Sequence, residues 1–201
     1  MNKQEVLKQG LNMLSQLIPV ALGVYLGIIA SNWNDQRNQA ALQQVFLQNL
    51  YLELSANQQK LKEASSYHEA MFQLSSTLLD HYSADTLQQG FWSLGGWRLL
   101  PGWEGLKIPT LESSVYETGT LQNTLLGLDF ATINTIAQVY NLQGEYLAWA
   151  NKLIFDRITT IKGNATTREA INNLQQWYDV TQKGQTLEKD YERLLILLKA
   201  R

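Results

Sequence analysis

Side chains that could carry out chemistry are few in this sequence and far apart. The two histidines, His68 and His81, are thirteen residues apart, whereas metal ligands on a helix usually lie three or four residues apart on one face. The sequence also lacks the Glu-x-x-His pairs of a di-iron bundle. His68 falls on an apolar stripe of a predicted helix, which favours a hydrogen-bonded histidine over a metal ligand. We therefore predict no metal site and no cofactor.

The remaining polar residues do not form a recognisable catalytic group. Glu112 and Glu117 flank Tyr116 and have the chemistry for acid–base catalysis, but a solvated face or a helix cap is the commoner role of such carboxylates. The sequence has no phosphate-binding loop, dinucleotide fingerprint or G-x-S-x-G motif. Since it has no cysteine, disulfides, thiolate ligands and cysteine nucleophiles are excluded. No catalytic residue and no enzymatic activity are predicted.

The charge of the chain argues against nucleic acid as a partner. The formal net charge is −2 over 201 residues, and the lysines and arginines are scattered along the chain without forming a basic stripe. Charged residues make up only 17% of the chain, below the usual ~25%. A polar surface with so few charges is compatible with partners that cover part of it.

An apolar run near the N-terminus predicts where in the cell the chain is located. Residues 17–30 read LIPVALGVYLGIIA, and the uncharged segment around them extends over residues 11–33, after an N-terminal flank of residues 1–10. About 20 apolar residues are enough for a helix to cross a bilayer. The alternative is a cleaved signal peptide, but Ile28 stands where the cleavage site after Ala30 requires a small residue. We predict a transmembrane anchor.

The flanks of this segment predict its orientation and its contacts. Lys3 and Lys8 precede it, which favours a cytoplasmic N-terminus and a periplasmic or extracellular bulk of the chain. Its small residues recur every fourth position on one face and favour close packing against another helix: Gly23, Gly27 and Ser31. The alternative is that glycine is simply common in membrane helices. Trp33 is expected at the membrane interface.

The rest of the chain, residues 34–201, has the pattern of a helical bundle. No Gly or Pro occurs between Gly27 and Gly90, so the anchor helix is expected to continue to about Tyr82. Its apolar residues follow alternating three- and four-residue steps: Leu47, Leu50, Leu54, Leu61, Ala64, Met71, Leu74 and Leu78. Asn57 and His68 fall on the same stripe, and Asn57 is expected to fix the register of the helices.

A loop rich in Trp and Gly is predicted over residues 84–109. Its large aromatic residues and one arginine are Phe91, Trp92, Trp97, Arg98 and Trp103. Such rings either fold back and cap the bundle or form a docking patch for a partner or ligand.

Three further helices are predicted after this loop. A short helix is expected over residues 110–116 with a turn at residues 117–121, and a long helix from an N-cap at Asp129 to residues 163–164. The apolar residues of the long helix are Ile133, Ala137, Tyr140, Gly144, Leu147, Ile154, Ile158 and Ile161. Thr166 and Glu169 predict a capping box for a last helix with a register change or a break near Gly184. The apolar residues of that last helix are Ile171, Leu174, Trp177, Tyr178, Leu187, Tyr191, Leu194 and Leu198. The predicted fold is all-α: a transmembrane helix that continues into an antiparallel bundle of about three long helices.

In GVYLGIIASNWNDQRNQA an apolar helix ends in Trp-Asn, followed closely by Arg, and IPTLESSVYETGTLQNTL precedes a tyrosine near position 140. These segments resemble two blocks of a family of uncharacterised bacterial single-pass membrane-anchored helical proteins, which implies a bacterial inner membrane with the bulk of the chain in the periplasm. The two cover about a third of the chain. The resemblance implies a single-pass anchor and a helical domain, and it transfers no activity.

These observations favour a non-enzymatic role. The leading hypothesis is an accessory or scaffold subunit of a larger membrane complex, whether respiratory, photosynthetic, transport or envelope. Its partners would be membrane lipid and other membrane subunits, with further copies of the chain as an open alternative. The alternative is a periplasmic sensory bundle that binds a small molecule between its helices. A membrane-tethered enzyme is the third hypothesis, and no group of residues supports it.

Overall fold

The chain folds into helices in all the parts that the structure describes. The computed structural model describes residues 3–158, 161, 163–175 and 177–200, but not the side chains of residues 3–21, 154, 155, 157, 158 and 177. The α-helices are α1 (Lys3–His81), α2 (Ala84–Gln88), α3 (Ser114–Leu121), α4 (Phe130–Ile158), α5 (Thr167–Gln175) and α6 (Trp177–Lys199). Short 3₁₀ helices occupy Gly96–Leu99 and Thr124–Gly127. Within the described residues the β-structure is an isolated bridge between Gly90 and Thr166, so the all-α prediction is confirmed.

The chain divides into two compact units, residues 1–45 and residues 46–201. The first unit consists of the N-terminal part of α1. In the part of the chain that the structure describes, no helix combines the length and the apolar character needed to cross a membrane. The side chains of residues 11–21, which begin the predicted span 11–33, lie outside the described residues.

Within the second unit, α1 buries the stripe that its sequence predicts. Alternating three- and four-residue steps place one face of the helix in the core, and the buried members are Leu50, Leu54, Asn57, Leu61, Ala64, His68 and Met71. α1 ends at His81, as predicted. Ser83 follows as the N-cap of α2 and accepts a hydrogen bond from the backbone N–H of Thr86 at 3.2 Å, so the predicted loop begins with a short helix.

Three long helices build the core, and they are not all antiparallel. Contacts pair Glu53 with Tyr140 and Asn57 with Gln143, in the same order along both helices, so α1 and α4 run in the same direction. The connection over residues 82–129 is long enough to return the chain to the starting end. α6 runs back against α4, because Tyr191 contacts Gln143, whereas Lys183, which is earlier in α6, contacts Trp149, which is later in α4. The predicted antiparallel order is therefore correct for α6 against α4 and wrong for α4 against α1.

The core face of α4 differs from the predicted one by about one position. Its buried residues are Thr132, Ile136, Val139, Tyr140, Gln143, Tyr146 and Ala150, whereas Ile133 and Leu147 are only partly buried and Gly144 is exposed. Because the buried face includes the polar residues Thr132 and Gln143, the spacing of the apolar residues alone predicted a neighbouring face of α4 as the core face. Asp129 is the N-cap, as predicted, and accepts from the backbone N–H of Thr132 at 3.0 Å.

The last predicted helix corresponds to α5 and α6, and its capping box is confirmed. The backbone N–H of Thr166 donates to Glu169 at 2.9 Å, and that of Glu169 to the Thr166 hydroxyl at 3.2 Å. The predicted break at Gly184 is wrong, since it lies within α6. A Cβ there would lie 2.8 Å from the Ser65 hydroxyl, so glycine allows α6 to approach α1 closely.

The predicted turn over residues 117–121 is part of α3, and the predicted short helix begins later than expected. Gly119 suggested a turn, yet it lies inside α3. The residue is glycine because a Cβ at this position would come within 2.1 Å of the ring of Phe46. Phe46 is itself buried in the main core. The glycine is therefore needed for close packing between α3 and α1.

We predict that Gly119→Ala destabilises the protein by about 1–3 kcal/mol, because the added methyl group overpacks the site beside Phe46. Gly144→Ala is the matched control: it is an exposed helical glycine whose Cβ would meet nothing within 4 Å. It should stabilise by about 0.5–1 kcal/mol. Chemical denaturation measures both changes, and equal stabilisation by the two variants would contradict the packing at Gly119.

Candidate functional site

The residues of the first unit that were predicted to pack against another helix are exposed. A Cβ added at Gly23 or at Gly27 would meet nothing within 4 Å, and Ser31 is exposed. The large apolar residues around them are roughly half exposed, at 47–64%: Leu22, Val24, Tyr25, Leu26, Ile28 and Ile29. These side chains point to every side of the helix, so within the described residues nothing apolar covers this segment.

Trp33, the predicted interface residue, stands at the end of this apolar segment. Its side chain is 63% exposed, and the guanidinium carbon of Arg37 lies 5.3 Å from the centre of its ring. A cation over an indole face is a favourable contact. The pair combines an apolar ring with a charge one helical turn further on, as expected where a helix passes from an apolar to a polar environment.

The Trp-rich loop is tied to the start of α5 by backbone hydrogen bonds. The N–H of Phe91 donates to the carbonyl of Ala165 at 2.9 Å, and the N–H of Thr167 donates to the carbonyl of Gln89 at 2.8 Å. The Thr167 hydroxyl donates to the same carbonyl at 2.9 Å. These bonds fix the place at which the aromatic residues enter the bundle.

Most of the aromatic residues in the loop fold back onto the bundle. Phe91 is fully buried, and Trp97 stacks on Trp103 with 4.3 Å between the ring centres. Both tryptophans pack against the cluster around Met71, Leu100 and Leu174. These rings close the bundle, which is the first of the two predicted roles of the loop.

Trp92 and Arg98 are the members of the predicted docking loop that remain on the surface. Trp92 is 46% exposed and meets Phe91 and Trp97 edge to face at 5.2 and 6.2 Å. Gly96 makes room for its ring, because a Cβ there would come within 2.7 Å of it. Arg98 is exposed. The docking role of this loop stays a prediction, and it concerns these two side chains.

His68 connects α1 to the end of the same loop. It is fully buried, and its Nε2 donates to the carbonyl of Leu106 at 3.1 Å. Burial lowers the pKa of the imidazole to about 4, and the backbone hydrogen bonds offset part of this effect by raising the pKa. Among the described residues no group of three or more metal-ligating side chains is found, and the hydrogen bond gives His68 a structural role.

Tyr67 also binds the end of this loop, at Glu104 and Gly105. Its hydroxyl donates to the carbonyl of Gly105 at 2.8 Å and accepts from the N–H of Glu104 at 3.0 Å. The ammonium of Lys107 lies 4.8 Å from the centre of the Tyr67 ring. Burial raises the pKa of the Tyr67 phenol. Neighbouring residues of α1 thus fix the loop over residues 104–107.

A buried polar network, which the sequence indicated only at Asn57, joins α1 to the first residues of α3 and to Glu112 just before it. Glu53 accepts from the Ser114 hydroxyl at 3.0 Å, from the backbone N–H of Val115 at 2.8 Å and from the Tyr140 phenol at 2.6 Å. Asn57 accepts from the N–H of Glu112 at 2.8 Å and donates to its carbonyl at 2.7 Å.

Gln143 extends this network to α6. Its amide nitrogen donates to the carbonyl of Glu112 at 3.1 Å, and its oxygen accepts from Asn57 at 3.3 Å and from the Tyr191 phenol at 2.6 Å. The glutamate, asparagine and glutamine side chains are each less than 8% exposed. Glu53, Asn57 and Gln143 therefore all have hydrogen-bond partners, as the stability of buried polar groups requires.

The phenols of the network are neutral hydrogen-bond donors. Burial, and then the neighbouring Glu53, raise the pKa of Tyr140 far above its ordinary value. Burial likewise raises the pKa of Tyr191. It also raises to about 12 the pKa of Tyr146, a buried phenol outside the network whose hydroxyl has no hydrogen-bond partner among the described residues. Because these groups do not titrate near neutral pH, the arrangement serves packing and register.

Glu112 and Glu117, the carboxylates considered for acid–base catalysis, are not brought together around Tyr116. Glu112 forms an ion pair with Lys60 at 2.6 Å, and Glu117 accepts from the Ser113 hydroxyl at 2.5 Å. Both carboxylates are exposed, while the Tyr116 ring stacks on Tyr140 at 4.4 Å. Each carboxylate has its own surface contact, as expected of solvated faces and caps.

An open cleft of about 660 Å³ lies at the start of α5. Its lining is mostly polar and amide-rich: Ile161, Asn164, Ala165, Thr166, Glu169, Asn172 and Asn173. Glu169, its titratable member, is already engaged in the capping box. The cleft has neither the enclosure nor the apolar lining typical of a small-molecule site.

Comparison with known proteins adds no functional assignment. The chain matches no protein-family profile, no curated protein and no solved structure. The resemblance to a membrane-anchored family stays a prediction.

We predict that Tyr140→Phe lowers the free energy of unfolding by about 1–3 kcal/mol, because it removes a buried donor to Glu53. Tyr178→Phe is the control, since Tyr178 is 45% exposed and should change stability little. Urea denaturation followed by circular dichroism measures both, and equal effects of the two substitutions would contradict the role of the network.

His68 should make stability depend on pH. Its pKa is about 4 in the folded protein and about 6.5 when unfolded, so the unfolded chain takes up the proton first. The free energy of unfolding should therefore fall by about 3 kcal/mol as pH decreases from 6.5 to 4. His68→Gln should lack this component, whereas His81→Gln should retain it. Parallel pH profiles for wild type and His68→Gln would contradict the burial of a neutral imidazole.

Proposed function

We propose that this chain is a membrane-anchored, non-enzymatic accessory or scaffold subunit of a larger membrane protein complex. The observation that carries the proposal is the helical surface from Leu22 to Ile29, whose large side chains are roughly half exposed on every side. A helix that is apolar all round requires apolar surroundings. In the sequence, the uncharged apolar character continues before Leu22, through residues 11–21.

In this proposal, residues 11–33 lie in the bacterial inner membrane with the N-terminus in the cytoplasm. Lys3 and Lys8 support this orientation. Trp33 and Arg37 mark the periplasmic interface, where an indole and a cation are both favourable.

The proposed contact with another subunit is the small-residue face of this helix. The open space around Gly23 and Gly27 allows the backbone of a second helix to approach closely, which is how small residues promote association in lipid. Trp92 and Arg98 provide a second, exposed contact for an extramembrane part of the partner.

A non-enzymatic role is supported by the way the polar side chains of the second unit are used. Glu53, Asn57 and Gln143 bind one another's helices and backbone groups, and His68 holds a loop. These side chains hold the bundle together, and the surfaces that remain are suited to association.

We predict that Gly23→Leu with Gly27→Leu reduces co-purification of the partner subunits by about tenfold or more, because the larger side chains prevent close helix packing. Extraction in mild detergent, followed by native gel electrophoresis and mass spectrometry, measures the associated mass.

Tyr25→Phe with Ile29→Leu is the matched control, since these residues lie on the opposite face of the same helix and the changes nearly keep their volume. Migration of the wild-type chain as a lone 22.9 kDa monomer would contradict the proposed function. Unchanged association of the glycine variant would contradict the proposed helix face.

A further inference from the structure

The turn between α3 and α4, residues 121–130, carries the most exposed large apolar side chains that the structure describes. Leu121 ends α3, Leu126 lies in the 3₁₀ helix Thr124–Gly127, and Phe130 begins α4. They are 83%, 76% and 83% exposed, whereas the other large apolar residues on the described surface reach at most 65%. Side chains exposed to this degree protrude from the surface. We call residues 121–130 the apolar turn.

The neighbours of these side chains hold the apolar turn in its conformation. Leu125 and Leu128, which alternate with the protruding residues, are buried in the main core. Asn123 adopts a left-handed backbone conformation with φ 57°, which reverses the chain after α3. Asp129 accepts hydrogen bonds from the backbone N–H and the hydroxyl of Thr132, each at 3.0 Å. The outward direction of the apolar side chains is therefore fixed by the packing of the turn.

The apolar turn lies at the end of the second unit at which the chain enters it. α1 and α4 run in the same direction, and Phe130 precedes Tyr140, the partner of Glu53, by about 15 Å along α4. This displacement leads toward Phe46, the first residue of the second unit. Phe46 packs against Gly119 of α3, directly before the turn.

The course of the chain points to a lipid surface as the occupant. This inference rests on the proposed function, in which residues 11–33 lie in the bilayer. Twelve residues separate Trp33 from Phe46, so the end of the second unit that carries the apolar turn is the end that the chain ties to the membrane. A protein partner would need a closely fitting pocket for each protruding side chain, whereas lipid adapts to their shape.

The residues around the protruding side chains suit the headgroup region of a bilayer. Residues 118–128 read TGTLQNTLLGL and contain no charged residue, so no charge has to leave water when the turn inserts. Thr120, Gln122 and Asn123 are exposed, and their polar groups can form hydrogen bonds with lipid headgroups.

We propose that Leu121, Leu126 and Phe130 insert into the surface of the bilayer that holds the anchor. Apolar side chains at such a surface reach about 5–10 Å into the boundary between headgroups and acyl chains. The second unit then has a lipid contact of its own, in addition to the anchor.

Fluorescence quenching by spin-labelled lipid tests this contact in the full-length chain, reconstituted into phosphatidylcholine vesicles. The natural sequence has no cysteine, so Leu126→Cys or Phe130→Cys can each carry a single NBD fluorophore. Phosphatidylcholine with a nitroxide high on its acyl chain should quench both positions at least about twofold more than Asp80→Cys. Asp80 is exposed and lies about 50 Å beyond Phe46 along α1, so it reports the fluorophore without the contact.

A polar variant provides a second measurement. Leu126→Gln with Phe130→Gln removes two of the three inserted side chains and should lower the lipid quenching of a fluorophore at Leu121→Cys by about threefold. Thr118→Ser with Gln122→Asn is the matched control, since both residues are polar and exposed, and it should leave the quenching unchanged. Circular dichroism checks that both variants keep their helices.

Two results would overturn the proposal. One is quenching at Leu126→Cys and Phe130→Cys no greater than at Asp80→Cys. The other is blue-shifted emission at these positions without lipid quenching, which would mean that a protein surface, such as a second copy of this chain, covers the turn.

A fluorophore at Val24→Cys in the same vesicles tests the proposed anchor separately. Strong lipid quenching at Val24→Cys without quenching at the apolar turn would remove this contact and leave the proposed function intact. Absence of quenching at Val24→Cys would contradict the anchor itself, and this inference with it.

Discussion

The apolar surface between Leu22 and Ile29 is the constraint on which the rest of this account depends. Its backbone bonds are satisfied within the helix, so the cost of placing it in water comes from its side chains. Six large apolar residues, each roughly half exposed, correspond to about 5–10 kcal/mol of unrealised burial. That is comparable to the whole stability of an ordinary domain. Lipid and neighbouring helices are the surroundings that would remove this cost, which is why we propose a membrane anchor.

The second unit solves a different problem, the alignment of three long helices. Apolar packing alone fixes the relative position of helices poorly, whereas a buried hydrogen bond is lost when they slide. Glu53, Asn57 and Gln143 supply such bonds, and they join α1, α4 and α6 to the start of α3 and to Glu112 before it. Apart from this network, the features on which the proposed function depends are surfaces: the Trp92 region and the small-residue face.

Much of the fold could be predicted from the sequence because its signals are local. The absence of Gly and Pro predicted the length of α1, and the capping residues Asp129, Thr166 and Glu169 act within one helical turn. The errors arose where distant contacts decide. Gly119 and Gly184 resembled breaks, yet each lies inside a helix. Each position requires glycine because a residue of α1 packs closely against it. The face of α4 was misjudged because it buries Thr132 and Gln143, whose partners lie far away in the sequence. The same limit hid Glu53, since no local pattern shows that Val115 and Tyr140 would surround it. The residues of the Trp-rich loop were identified, but their division into buried rings and an exposed Trp92 required the packing.

The environment of the apolar helix is the point to measure first. Spin labels at single cysteines, introduced at Val24 and Ile28 of the full-length chain in lipid bilayers, report how well oxygen and a polar nickel reagent reach each site. Gln44 provides the exposed reference. The account predicts that oxygen relaxes the labels at Val24 and Ile28 more than the nickel reagent does, with the opposite order at Gln44. Nickel accessibility at Val24 and Ile28 equal to that at Gln44 would place this helix in water and contradict the proposed anchor.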